Sequence, residues 1–198
     1  LLIAPEFDAT GRLVAPRFVY RPAERRFYRK DREEKEEAQM TAVQSVLSRD
    51  LQYDYPPTVK EVIKYYNEIV KCFYNEDCSE GDINELGQKA RELYDAELLE
   101  ANEVGPYLIR LQGEVQEHRE KERHISVVVL SSSTNVDYFE EDGYSFARIM
   151  CGYNVTEGDK SHPTKQIYLL RKDEKNRWKI YGWDDAGNVQ LQTGENAE

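Results

Sequence analysis

Residues 171–184 read "RKDEKNRWKIYGWD" and hold both tryptophans of the chain, Trp178 and Trp183. This stretch decides the fold because it has the period of a strand. Trp178, Ile180 and Gly182 alternate with Lys179, Tyr181 and Trp183, so aromatic side chains are expected on both faces. Such a strand belongs inside a sheet, with one face against other elements. Residues 172–176 (KDEKN) ahead of it read as a turn. Thr164–Arg171 reads as its pairing partner.

The same period extends further back. Tyr144–Val155 forms a long strand through Phe146, Ala147, Ile149, Cys151 and Tyr153. Residues 140–143 (EEDG) carry the signature of a tight hairpin turn. Before them stands a strand that starts at Ile125 and places Ile125, Val127 and Val129 on one face, followed by a serine interruption and then Val136 and Tyr138. Residues 156–163 (TEGDKSHP) read as a loop. Gly152 and Gly182, inside strands, mark bends.

Upstream of Ile125 the period becomes helical. Val59, Val62, Ile63, Tyr66, Ile69, Val70 and Phe73 fall within one face at 100° per residue. Thr58 and Glu61 have capping-box spacing, and Pro56-Pro57 forces an extended approach. A short helix capped by Thr41 precedes this one. A second long helix starts at Ser79 or Asp82 and carries Ile83, Leu86, Ala90, Leu93 and Leu98. Gly105-Pro106 marks a boundary. A third helix then carries Tyr107, Leu108, Leu111 and Val115 on its apolar face. Helices first and an antiparallel meander second make an α+β domain over residues 40–186. About four long strands, bent at the glycines, would wrap the helices as a cone.

Composition limits the partners. The net charge is −11, which argues against nucleic acid for the body of the domain. Residues 1–30 run the other way, with seven Arg/Lys against three Asp/Glu. Residues 1–39 therefore read as a basic and charged leader and linker, expected to be disordered, with residues 187–198 as a disordered tail. The leader's "RFVYRPAERRFYRK" interleaves basic and aromatic residues in a way that suits an anionic polymer. No apolar run approaches the length of a membrane span, so a membrane would be reached only through an anchor not visible in this sequence. Cys72, Cys78 and Cys151 show no metal-ligand spacing. The spacing of Cys72 and Cys78 allows a pairing across a helix end, but three reduced, partly buried thiols are the leading expectation. The acidic residues of the helices (Glu92, Asp95, Glu97, Glu100, Glu114, Glu117, Glu120) read as a solvated face. No metal or cofactor is expected.

Four blocks carry a resemblance: "LQYDYPPTVKEVIKYYNEIVKCFYNE" (51–76), "ARELYDAELLE" (90–100), "VDYFEEDGYSFAR" (136–148) and "IYLLRKDEKNRWKIYGWD" (167–184). In that order they resemble an uncharacterised family of small proteins from anaerobic gut bacteria, known as a domain of unknown function. The resemblance spans residues 40–185. It implies a membrane-anchored, extracytoplasmic parent protein, although residues 1–30 are basic and polar where the anchor would lie. The domain is also similar to the NTF2-like superfamily, which implies a helix-lined cone closed by a curved sheet. That fold hosts enzymes, ligand binders and dimerising modules, so it implies no single function. It also implies the sheet as a surface for a homodimer.

Candidate site residues follow from the cone. Tyr66, Tyr153, Trp178 and Trp183 are the candidates for binding a small molecule, because aromatic walls with polar tips suit a sugar or an aromatic ligand. His124, at the start of the first strand, and Asp184, at the end of the last, are the candidate catalytic pair. His118 is expected on a helix surface. The leading expectation is a non-catalytic module for an unknown protein or small-molecule ligand. The alternative is a small-molecule enzyme (lyase, isomerase or hydrolase) with a His/carboxylate pair in the cone. An open cavity with converging polar groups favours ligand chemistry. A cone filled by Tyr66, Phe73 and Trp178 favours a protein-interaction module.

Overall fold

The computed structural model describes residues 40–187. The expected leader, and all but the first residue of the expected tail, lie outside the described residues. In chain order the elements are α1 (Ala42–Ser48), α2 (Val59–Asn75), α3 (Glu80–Arg91), α4 (Ala96–Ala101), α5 (Val104–Glu120), β1 (Arg123–Leu130), β2 (Asp137–Glu141), β3 (Tyr144–Glu157), β4 (Lys160–Lys172) and β5 (Trp178–Asp185). Helices therefore pack on one antiparallel sheet, as the α+β reading expects.

Capping residues set the helix starts. Thr41 and Gln44 form a reciprocal box at α1, and Ser79 and Asp82 form one at α3. At α2 only half of the expected box exists. The Thr58 hydroxyl accepts from the Glu61 N–H at 3.2 Å but donates back to the Glu61 carboxylate at 3.1 Å, so the Thr58 N–H takes no part. The α2 apolar face is buried as its period requires. Val59, Val62, Ile63 and Ile69 are fully buried, each contributing about 2 kcal/mol. Cys72, on the margin of that face, is buried too, as are Cys78 and Cys151, and all three are free thiols.

Two expectations about helices are corrected. The single helix expected through Leu98 breaks after Arg91. Residues 93–95 leave the helix to pair with β5, and Asp95 then caps α4. Gly105-Pro106 lies within the first turn of α5 rather than before it. Proline fits there because first-turn N–H groups have no intrahelical partner.

The strand order is β1-β3-β4-β5, with β2 beside the other end of β3. Asp142 and Gly143 both take positive φ, 50° and 79°, in the two-residue turn between β2 and β3. The loop expected at residues 156–163 is mostly strand. β3 and β4 pair as far as Glu157 and Lys160, around Gly158 (φ 56°) and Asp159. Pro163 is tolerated because β5 pairs with β4 only from Gln166 onward, so its missing N–H deprives no neighbour. In β1 a register shift between Ile125 and Val127 divides the expected face. Ile125 and Val128 face the helices, whereas Val127 and Val129 stand 47% and 61% exposed on the outer face.

One junction ties the helical layer to the sheet edge. The Asp95 N–H donates to the Ile180 carbonyl and the Ile180 N–H to the Leu93 carbonyl, both at 2.8 Å. The buried Asp95 carboxylate takes the Arg171 guanidinium in a fork of 2.5 and 3.1 Å. Arg171 also reaches Glu97 at 2.7 Å and lies between the rings of Tyr144 and Tyr181. Asp95 was expected on a solvated acidic face and is instead a structural ion-pair residue.

Replacing Asp95 by alanine leaves the largely buried Arg171 guanidinium to the exposed Glu97 carboxylate and removes the α4 cap. We expect Asp95→Ala to lower unfolding stability by about 3–5 kcal/mol, with Asp95→Asn losing less because the cap oxygen survives. Urea denaturation of both variants checks this, and equal losses would show that the charge, not the cap, carries the junction.

Candidate functional site

The bulge in β5 creates the site. Leu169 pairs with Gly182 but Leu170 pairs with Ile180, which leaves Tyr181 as an extra residue. Beyond it the alternation changes phase. Trp183, expected opposite to the Trp178 and Ile180 face, pairs with Tyr168 on the same helix-facing side. Its ring packs at 5.9–6.0 Å from those of Tyr66, Tyr94 and Tyr168, while 41% of the residue stays exposed.

Beside this aromatic wall, α2, α5 and the inner faces of β1, β3 and β4 border an open cavity of about 420 Å³. Its size is in the range of small-molecule sites. Two sets of tyrosine hydroxyls converge there. In one, Tyr94 meets Tyr66 at 3.3 Å and Tyr107 at 3.4 Å. In the other, Tyr153 meets Tyr168 and the Asn67 side-chain oxygen at 2.6 Å each, and Tyr168 meets Gln166 at 2.9 Å. Burial is the largest cause holding all five phenols well above their ordinary pKa. The hydroxyls therefore stay protonated as neutral donors and acceptors. Burial also raises the Cys151 thiol, which accepts from the Asn67 amide at 3.4 Å.

Of the sequence candidates, Tyr66, Tyr153 and Trp183 line this cavity together. Trp178 does not. It is buried further along β5, near Tyr138 and under Lys172. His124 and Asp184 are not brought together. They stand on β1 and β5, with β3 and β4 between them, and neither borders the cavity. His124 instead contacts the exposed Thr156 hydroxyl at 2.7 Å.

The sequence reading missed the α5 side of the cavity. Tyr107, Leu111, Glu114 and His118 all border it, at the 4-3-4 spacing of one helical stripe. The signal was present but mixed in polarity, so the apolar stripe of Leu108, Leu111 and Val115 masked it. His118, expected on the surface, is half-buried and stacks on Tyr74 at 4.1 Å. Arg110, at the rim, bonds Asn102 at 2.8 Å. Gly87 of α3 permits this placement of α5, since a Cβ there would lie 2.7 Å from Leu108 and 3.0 Å from Leu111. A second depression lies on the outer face beside Val127, Val129 and Met150.

A family profile described as a domain of unknown function (DUF6715) matches residues 13–183. The chain belongs to that family. No curated protein matches the chain.

His118 makes the site sensitive to pH. Its Nδ1 is buried without a hydrogen-bond partner among the described residues. Burial, with Arg123 and Lys121 nearby, lowers its pKa below 6.5, against an opposing effect of Glu117. The unfolded chain thus binds this proton more readily than the folded one. Its contribution to stability is full above about pH 6.5 and is lost as pH falls toward the folded pKa. We expect His118→Phe to flatten the stability profile between about pH 7 and pH 5. Urea titrations across that window check this, and an unchanged slope would place the titration on another group.

Proposed function

We propose that this chain carries a non-catalytic binding domain whose small-molecule ligand occupies the cavity between α2, α5 and the inner face of the sheet. One observation carries the reading: five tyrosine hydroxyls converge at an open cavity beside a half-exposed tryptophan. A domain that needed only a filled core would lose little by using phenylalanine at these positions. Each buried hydroxyl must find a partner or leave a polar group unsatisfied at about 1–3 kcal/mol. Protonated phenols are suited to hydrogen bonding and poorly suited to nucleophilic or basic roles.

Helices closing over one face of an antiparallel sheet, with bulges in β1 and β5, support an NTF2-like cone. An extracytoplasmic, membrane-tethered parent protein rests on the family resemblance; no described helix is long and apolar enough to cross a membrane.

The neutral fluorophore N-phenyl-1-naphthylamine reports on such a cavity. We expect saturable one-to-one binding with energy transfer from Trp183, measured in a Trp178→Phe background. Val70→Trp, which projects bulk into the cavity from the half-buried side of α2, should abolish binding while leaving the circular dichroism spectrum unchanged. Absent binding by the parent protein, or binding unchanged in Val70→Trp, would overturn the proposal.

A further inference from the structure

Charge, hydroxyl count and ring spacing together narrow the ligand. We infer that the cavity takes a neutral saccharide, one pyranose ring of which stacks on the open side of Trp183 while its hydroxyls meet the tyrosine and carboxylate groups of the walls. This inference rests on the cavity being the ligand site.

Three ligand classes compete. An anion is disfavoured by the net charge of −11 and by the Glu114 carboxylate on the α5 wall, one helical turn from Arg110, the cation at the rim. A quaternary or methylated ammonium is disfavoured by ring spacing. A cage holds a cation within about 6 Å of several ring centroids, which requires a gap between facing rings. The rings of Tyr66, Tyr94, Tyr168 and Trp183 instead lie 5.9–6.1 Å from their neighbours, in mutual contact. They form a continuous wall with no such gap. A purely aromatic ligand would use this wall but leave the hydroxyls unanswered.

The hydroxyls need groups that both donate and accept. Tyr66, Tyr94 and Tyr107 have three protons and only two mutual contacts, so at least one proton is left to donate. The Asn67–Tyr153–Tyr168–Gln166 chain has the opposite imbalance. It makes three contacts with two hydroxyl protons, so it gains from an outside donor. A sugar hydroxyl supplies either role. The Glu114 carboxylate, on the α5 wall, accepts only and suits a vicinal pair of hydroxyls. The C–H face of a pyranose is apolar and matches an indole with one side open.

The test is a ¹H–¹⁵N titration of the full chain that follows the Trp183 indole N–H, assigned with Trp178→Phe. Neutral probes are the methyl glucosides and galactosides, N-acetylglucosamine, maltose and cellobiose; glucuronate and glucosamine are the charged counterparts. We expect at least one neutral sugar to shift the Trp183 signal saturably. Tyr107→Phe, which removes one half-buried hydroxyl, and Trp183→Ala should each weaken binding, the latter by about tenfold or more. If no neutral sugar binds while N-phenyl-1-naphthylamine still does, the ligand class fails and the cavity reading stands. If neither binds, both fail. Tighter binding of glucuronate or glucosamine than of every neutral sugar overturns the class, as does a neutral sugar whose affinity survives both substitutions.

Discussion

The backbone bridge between residues 93–95 and Ile180 is the constraint on which the other features depend. β5 ends the sheet, and an uncovered last strand would present a row of unpaired N–H and C=O groups. Leu93 and Asp95 answer both groups of Ile180. Doing so ends α3, restarts the chain as α4 and turns α5 back across the sheet. The same junction buries Asp95, and a buried carboxylate needs a cation. Arg171 of β4 supplies it from the neighbouring strand. The bulge at Tyr181 follows immediately after Ile180 and carries Trp183 to the inner face, while the Tyr181 hydroxyl donates to Glu97 at 2.6 Å. Edge protection, ion pair, bulge and aromatic wall are thus one connected arrangement.

That arrangement explains why tyrosine rather than phenylalanine fills the layer between helices and sheet. Inner positions of β3 and β4 far from the cavity are aliphatic, as Ile149 and Leu170 show, both essentially solvent-free. Tyrosine takes over where the layer opens, at Tyr153 and Tyr168 on the strands and at Tyr66 on α2. Each ring supplies apolar area to the core and directs its hydroxyl toward other hydroxyls, so the polar tips are gathered instead of scattered. The interior remains free of charge at this point, since burial keeps the phenols and the Cys151 thiol protonated.

Much of this was legible in the sequence, and the illegible part has physical causes. α2 could be read because its cap, apolar period and length all agree. The β2–β3 hairpin could be read because Asp142-Gly143 suits a turn with two positive φ angles. The break after Arg91 could not, because Leu93 and Leu98 continue a helical period and only the tertiary bridge to β5 overrides it. The start of β4 was hidden by loop-like composition, with Pro163 acceptable only because β5 stops short of it. Both errors of facing, at Val127 and Trp183, come from single-residue bulges. Period-two reading inverts beyond any such residue, and Gly182 was the one local hint. Tyr66, Tyr153 and Trp183, read as candidates from the sequence, do border the cavity, whereas Glu114 and His118, which border it too, were masked by the apolar stripe of α5.

The walls of the cavity are not held equally. α2 and the sheet are held by a large core, and their cavity residues are fixed by hydrogen bonds such as that between Tyr153 and Asn67. α5 buries fully only Leu111 and Val115, and its close approach to α3 relies on the absent side chain of Gly87. Few buried apolar contacts place an element toward the low end of local stability. The cavity therefore has one rigid side that carries the aromatic wall and both hydroxyl sets, except for Tyr107. It has one weakly held side that carries Tyr107, Glu114 and His118. A ligand bridging the two would add to α5 the contacts its own core lacks, so binding and local ordering of that helix are expected to be the same event.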